Sequence, residues 1–82
     1  MAMTWINVVR SDGDGDGDEF FMDGMFAERA GRLGKPLRTE TGMHSFEVID
    51  AAFNTLFRKD QIVDKPEGNS KKDPVIVTLD PV

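Results

Sequence analysis

From Ser11 to Glu19 the chain reads Ser-Asp-Gly-Asp-Gly-Asp-Gly-Asp-Glu. Glycine and aspartate are both depleted in strands, so any strand entering this run must stop there. The run also crowds five carboxylates, those of Asp12, Asp14, Asp16, Asp18 and Glu19, into eight residues. Such a tract binds a cation, faces a basic partner, or remains a solvated loop.

Eighty-two residues correspond to one domain, here 1–82, with 11–19 as a flexible acidic loop and 65–73 as a polar one. A chain this short buries only about 60–65% of its unfolded surface, so its core is small. It has no Cys, which removes disulfides, thiolate ligands and cysteine nucleophiles together. Six Phe and one Trp, with no Tyr, supply the bulk for a compact core. No apolar run approaches the roughly 20 residues needed to span a bilayer, and the start Met1-Ala2-Met3-Thr4-Trp5 lacks the regions of a signal peptide. The expectation is a cytoplasmic protein.

Thr4–Arg10 is β-branched and aromatic, and reads as a mostly buried strand. Phe20–Leu33 carries Phe21, Met22, Met25, Phe26, Ala30 and Leu33 near helical spacing, best from Met25 to Arg32, with Gly34 and Pro36 as stop signals. Lys35–His44 reads as a connector. Ser45 then offers an N-cap for a helix over Phe46–Arg58, where Phe46, Ile49, Ala52, Phe53, Leu56 and Phe57 form one apolar stripe. Gln61–Asp64 suggests a short strand, Lys65–Asp73 a polar loop, and Val75–Leu79 a strand closed by Asp80-Pro81. The pattern predicts an α+β domain in β-α-α-β-β order, a three-stranded, mostly antiparallel sheet with helices packed on one face. If the stripe were exposed, it would serve as a homodimer seam.

One reading of the acidic run is a Ca²⁺ loop. An EF-hand register starting at Asp12 puts Asp12, Asp14 and Asp16 at the first, third and fifth positions, Gly17 at the sharp turn, the Asp18 carbonyl at the seventh and Asp23 at the twelfth. Three departures count against it: Glu19 fills a normally apolar slot, Asp23 is shorter than the usual bidentate Glu, and a strand precedes the loop. Electrostatics does not demand a metal. Alternate carboxylates in an extended chain lie roughly 6.5–7 Å apart and repel by only about 0.6 kcal/mol in water.

The other reading is an interaction surface. Net charge is −5, which disfavours direct nucleic-acid binding. The charge is also polarised: Asp12 to Glu28 holds seven acids, with Asp23 and Glu28 extending the patch, and no base. Arg29 to Arg38 holds four bases (Arg29, Arg32, Lys35 and Arg38) and no acid. Those bases suit phosphate contacts, solvation, or balance of the acidic loop. Alternating Asp and Gly gives a charge density similar to that of a phosphate backbone, suited to a basic groove. In size, charge and lack of a catalytic set, the chain resembles small phage-encoded inhibitors of host defence, including anti-CRISPR proteins. That resemblance implies a non-enzymatic inhibitor that occupies the nucleic-acid-binding surface of a partner protein. A third reading is a small structural subunit of a larger assembly.

Catalysis has little support. His44 is the sole histidine, Ser45 lies in no nucleophile elbow, and His44 with Glu47 is only an i,i+3 pair. Gly34-Lys35 runs into Pro36 without the glycine pattern of a P-loop. Carboxylates on a flexible loop lack the fixed geometry that acid–base chemistry needs.

Overall fold

The computed structural model describes residues 2–13, 18–26 and 33–82. Within them the chain forms seven strands and no helix: β1 (Met3–Arg10), β2 (Glu19–Met22), β3 (Met25–Phe26), β4 (Pro36–Glu40), β5 (Gly42–Ile49), β6 (Thr55–Val63) and β7 (Val75–Leu79). One sheet has the order β4-β1-β7 and the other β3-β2-β5-β6. β1 runs antiparallel to β4 and parallel to β7, whereas every pairing in the second sheet is antiparallel. The α+β expectation, with helices packed on one face of a sheet, is therefore overturned: the described fold is all-β. Among the described residues no helix is long and apolar enough to cross a membrane.

The clearest correction is Phe46–Arg58, which is a hairpin and not a helix. His44, Phe46 and Val48 point inward with the period of two that a half-buried strand requires. Val48 faces Phe57 and Ile49 faces Thr55, so Leu56 is an extra residue on β6. Such a bulge lets both Leu56 and Phe57 reach the core. Two adjacent inward residues, together with Phe46 and Ile49, imitate a helical stripe. Ser45 is accordingly no N-cap; it sits mid-strand opposite Asp60 and donates its hydroxyl to that carboxylate at 2.6 Å.

Residues 50–54 close this hairpin around Asp50. Its Oδ1 accepts the Ala52 and Asn54 N–H groups, each at 2.9 Å, and its carbonyl accepts the Phe53 N–H at 3.0 Å. Phe53 is left with φ 64, a left-handed conformation that costs a residue bearing a Cβ about 1–2 kcal/mol.

The described start of the other expected helix is strand for a local reason. Asp23 (φ 55) and Gly24 (φ 76) are the two central residues of a tight turn joining β2 to β3. Two positive φ angles in succession define the type I′ hairpin, for which Asp-Gly is a preferred pair. Met25–Phe26 is thus strand, and residues 27–32 of the expected helix lie outside the described residues. The Lys35–His44 connector is largely β4 and the start of β5, and Gln61–Val63 is the end of β6, not a separate strand. The strands over Thr4–Arg10 and Val75–Leu79 are present as β1 and β7.

Both sheets contribute to one core of Ile6, Val8, Phe20, Leu37, Phe46, Val48, Phe57, Val63, Val77 and Leu79. The rings of Phe20 and Phe46 stack with centroids 6.3 Å apart. Of the predicted apolar stripe, Phe46 and Phe57 are core, Leu56 packs against it, and Phe53 is exposed. The sheets are stitched together along β6 and β7: Pro81 bridges Phe57, the Val82 N–H donates to the Leu56 carbonyl at 3.1 Å, and Lys59 Nζ donates to the Thr78 carbonyl at 3.1 Å.

Candidate functional site

The strand registers gather three loops at one end of the molecule. β1 and β7 finish side by side, with Arg10 opposite Leu79 and the Ser11 N–H donating to the Leu79 carbonyl at 2.9 Å. Residues 80–82 then run along Leu56 and Phe57 at the start of β6. β2 begins with Glu19 opposite Ile49, the last residue before the 50–54 turn. The described ends of the acidic run (11–13 and 18–19), the hairpin tip and the segment after β7 therefore share one pole, which residues 33–35 join where the Gly34 N–H donates to the Val8 carbonyl at 2.8 Å ahead of β4. The described parts of the three loops hold Asp12, Asp18, Glu19, Asp50 and Asp80 and neither Lys nor Arg, and residues 33–35 add one exposed base, Lys35.

The base that meets this pole comes from β1. Arg10 is 8% exposed in its side chain, and its guanidinium carbon lies 4.4 Å from the centroid of the Phe57 ring. Its Nε and Nη2 donate to the two oxygens of Asp12 at 3.1 and 2.8 Å, and Nη1 donates to Asp18 Oδ2 at 2.5 Å. The hydrogen bond to Asp12 raises the Arg10 pKa further, burial opposes it, and the bond to Asp18 adds to the rise. Both ends of the acidic run are thereby tied to one buried cation.

The residues singled out from sequence thus separate into groups. Asp12 and Asp18 flank Arg10; Glu19 is exposed and opens β2. Asp14, Asp16 and Glu28 lie outside the described residues, as do Arg29 and Arg32 of the basic stretch. Asp23 stands apart from this pole, in the turn between β2 and β3. Its Oδ1 accepts the Ser45 N–H at 2.9 Å and its Oδ2 accepts His44 Nδ1–H at 2.6 Å. Among the described residues no group of three or more His, Cys, Asp or Glu side chains converges on a metal position. Asp50 and Phe53 at the tip were not legible as site residues, since only the registers bring them to the acidic run; Arg10 stands two residues before Asp12, and that adjacency was the signal for it.

His44 itself is buried between two acceptors, Asp23 Oδ2 on Nδ1 and the Glu40 carbonyl on Nε2, each at 2.6 Å. Two acceptors are both satisfied only when both ring nitrogens donate, so this setting favours the imidazolium form. Burial pushes the His44 pKa down, but the Glu40 carbonyl and the Asp23 carboxylate outweigh it and the net shift is upward. Burial pushes Asp23 up, and the Ser45 N–H together with His44 outweighs that, so its pKa falls. The His44 contribution to stability is complete below its unfolded value of 6.5 and fades as pH rises through the folded pKa. The Asp23 contribution is complete above 3.8 and fades as pH falls through its own folded value. The expected result is greatest stability in the mildly acidic window between those two. Urea midpoints should fall between about pH 6 and pH 9 in the natural chain and stay flatter in His44→Gln; matching slopes for the two proteins would refute this.

A depression of about 230 Å³ lies elsewhere, lined by Phe21, Gly24, Ser45, Glu47 and Arg58. Glu47 and Arg58 are cross-strand neighbours there, and Glu47 Oε2 accepts the Thr55 hydroxyl at 3.0 Å. One acid facing one base gives this surface no charge excess comparable to the pole. Comparison of the chain with protein-family models, curated proteins and solved structures gave no match.

Proposed function

We propose that the protein is a non-enzymatic binding module whose acidic pole engages a basic surface on a partner protein. The observation that carries this reading is the meeting of Asp12, Asp18, Glu19, Asp50 and Asp80 at one end, where the buried Arg10 is spent on Asp12 and Asp18 and these acids outnumber the exposed Lys35. Exposed like charges held on a rigid scaffold raise the encounter rate with an oppositely charged surface and punish wrong partners. Occupation of a nucleic-acid-binding groove, as an inhibitor would, is one use of such a pole. A calcium loop in the register above would instead require Asp12 to leave Arg10 and Asp23 to leave His44.

A short oligolysine peptide is the probe. The natural chain should bind it with an affinity that falls as salt rises. Asp14→Asn, Asp16→Asn and Glu19→Gln combined should weaken binding by on the order of tenfold without lowering thermal stability, because Asp12 and Asp18 keep Arg10. Failure to bind at low salt, or an affinity indifferent to the triple change, would refute the reading. Titration with Ca²⁺ separates the alternative: a heat of binding and a raised midpoint would favour a metal loop.

A further inference from the structure

The acidic pole carries an apolar projection that charge alone does not explain. Phe53 is 83% exposed at the hairpin tip, preceded by exposed Ala51 and Ala52, and Val82 on the same pole is 76% exposed. Phe53 also occupies a positive-φ position where Gly or Asn would rest without strain. Its conformation is imposed by Asp50, whose carboxylate takes the Ala52 and Asn54 N–H groups and the Asn54 side-chain amide at 3.2 Å. A large ring is thus placed in solvent on a backbone that disfavours it. Strain maintained at an exposed aromatic is the pattern of a binding anchor, since a rigid ring loses little freedom on entering a pocket.

We infer that Phe53 is the apolar anchor of the acidic pole, and that its occupant is a basic protein surface with an apolar pocket set among its Lys and Arg side chains. The inference rests on the proposed reading of the pole and adds the anchor to it. Charge selects this occupant over a symmetric second copy. Two poles meeting tip to tip would bring Asp12, Glu19, Asp50 and Asp80 of each against the other, which is repulsive. A basic rim instead pairs with those carboxylates while its pocket takes the ring.

Two peptides of equal charge test this: oligolysine, and a lysine peptide with leucines along one helical face. The natural chain should bind the leucine-bearing peptide about tenfold to a hundredfold more tightly, the range expected for burying one large apolar side chain. Phe53→Gly and Phe53→Ser should erase that margin and leave oligolysine affinity unchanged. Phe53→Gly should also raise the thermal midpoint by about 4–8 °C through release of strain, so the loss of binding cannot be loss of fold. Equal affinity of the natural chain for both peptides, or a margin that survives both substitutions, would overturn the anchor while sparing the acidic pole. Absence of oligolysine binding would overturn the pole and the anchor with it. Self-association abolished by Phe53→Ser would overturn the inference by assigning the tip to a second copy.

Discussion

Arg10→Ala should lower the unfolding free energy by about 2–4 kcal/mol, a large share of the total for a domain of this size. The substitution leaves Asp18, 19% exposed, without its buried counter-charge, and removes the cation over the Phe57 ring. Asp12 is 44% exposed, so water recovers much of what that carboxylate loses, and the lower half of the range reflects this. Arg10→Lys retains the charge but not the fork that spans Asp12 and Asp18, and should restore less than half of the loss. Urea unfolding of the three proteins decides the matter. A loss below about 1 kcal/mol for Arg10→Ala would show that the acidic run is not tied down through this residue. The same substitution should also blur the pole, because its two ends lose their common anchor.

Asn69→Ala should cost about 2–3 kcal/mol although Asn69 belongs to the polar loop after β6. Pairing between β1 and β7 begins at Ile6 opposite Val75, one residue beyond Trp5. Asn69 fills the missing rung with its side chain. Its Oδ1 accepts the Trp5 N–H at 2.8 Å and its Nδ2 donates to the Trp5 carbonyl at 3.0 Å. Thr4, 1% exposed, donates its hydroxyl to the Asp64 carbonyl at 2.8 Å and lies 3.2 Å from the same Asn69 oxygen. Removal of the amide strands backbone groups in a part-buried setting where water only partly replaces it. Asn69→Asp should be no better, since it keeps the acceptor but sets a carboxylate against the Trp5 carbonyl. Trp5 is the sole tryptophan, so fluorescence reports unfolding, and exchange of its amide proton should accelerate in Asn69→Ala by more than that of core Val48, which gains only what the lower global stability gives. An unchanged Trp5 exchange rate would refute this role.

β1 and β7 were legible because their β-branched runs are bounded by residues that strands exclude: Asp-Gly after Arg10, and Asp-Pro after Leu79. The β5–β6 hairpin was hidden by its own bulge, which turns Leu56 and Phe57 inward together and produces a helix-like spacing. Two signals pointed the other way. Val48, Ile49, Thr55, Ile62 and Val63 are β-branched, and Asp23-Gly24 between apolar residues is a hairpin turn in its commonest chemistry. In a helical frame Gly24 is only a poor helix residue, whereas after Asp23 it completes the turn. For the site, the acids of 11–19 were visible in the sequence, whereas their company was not. Phe57 and Asp50 meet that loop only through the bridge from Phe57 to Pro81 and the pairing of Glu19 with Ile49, whereas Arg10 precedes it directly and only its seat over the Phe57 ring was hidden.

The parallel pairing of β1 with β7 also sets an order of events in time. The β5–β6 hairpin and the Asp-Gly turn join near neighbours in the chain and can close in microseconds. β1 gains its second edge only when Val75–Leu79 arrives from the far end of the sequence. Search over so long a loop is slow, and the chain should relax on the order of milliseconds to seconds, as β topologies with remote pairings do. During that interval Ile6 and Val8 lack their β7 partners. The anionic run beside them then acts as a gatekeeper, keeping a nascent apolar strand from pairing with its neighbours.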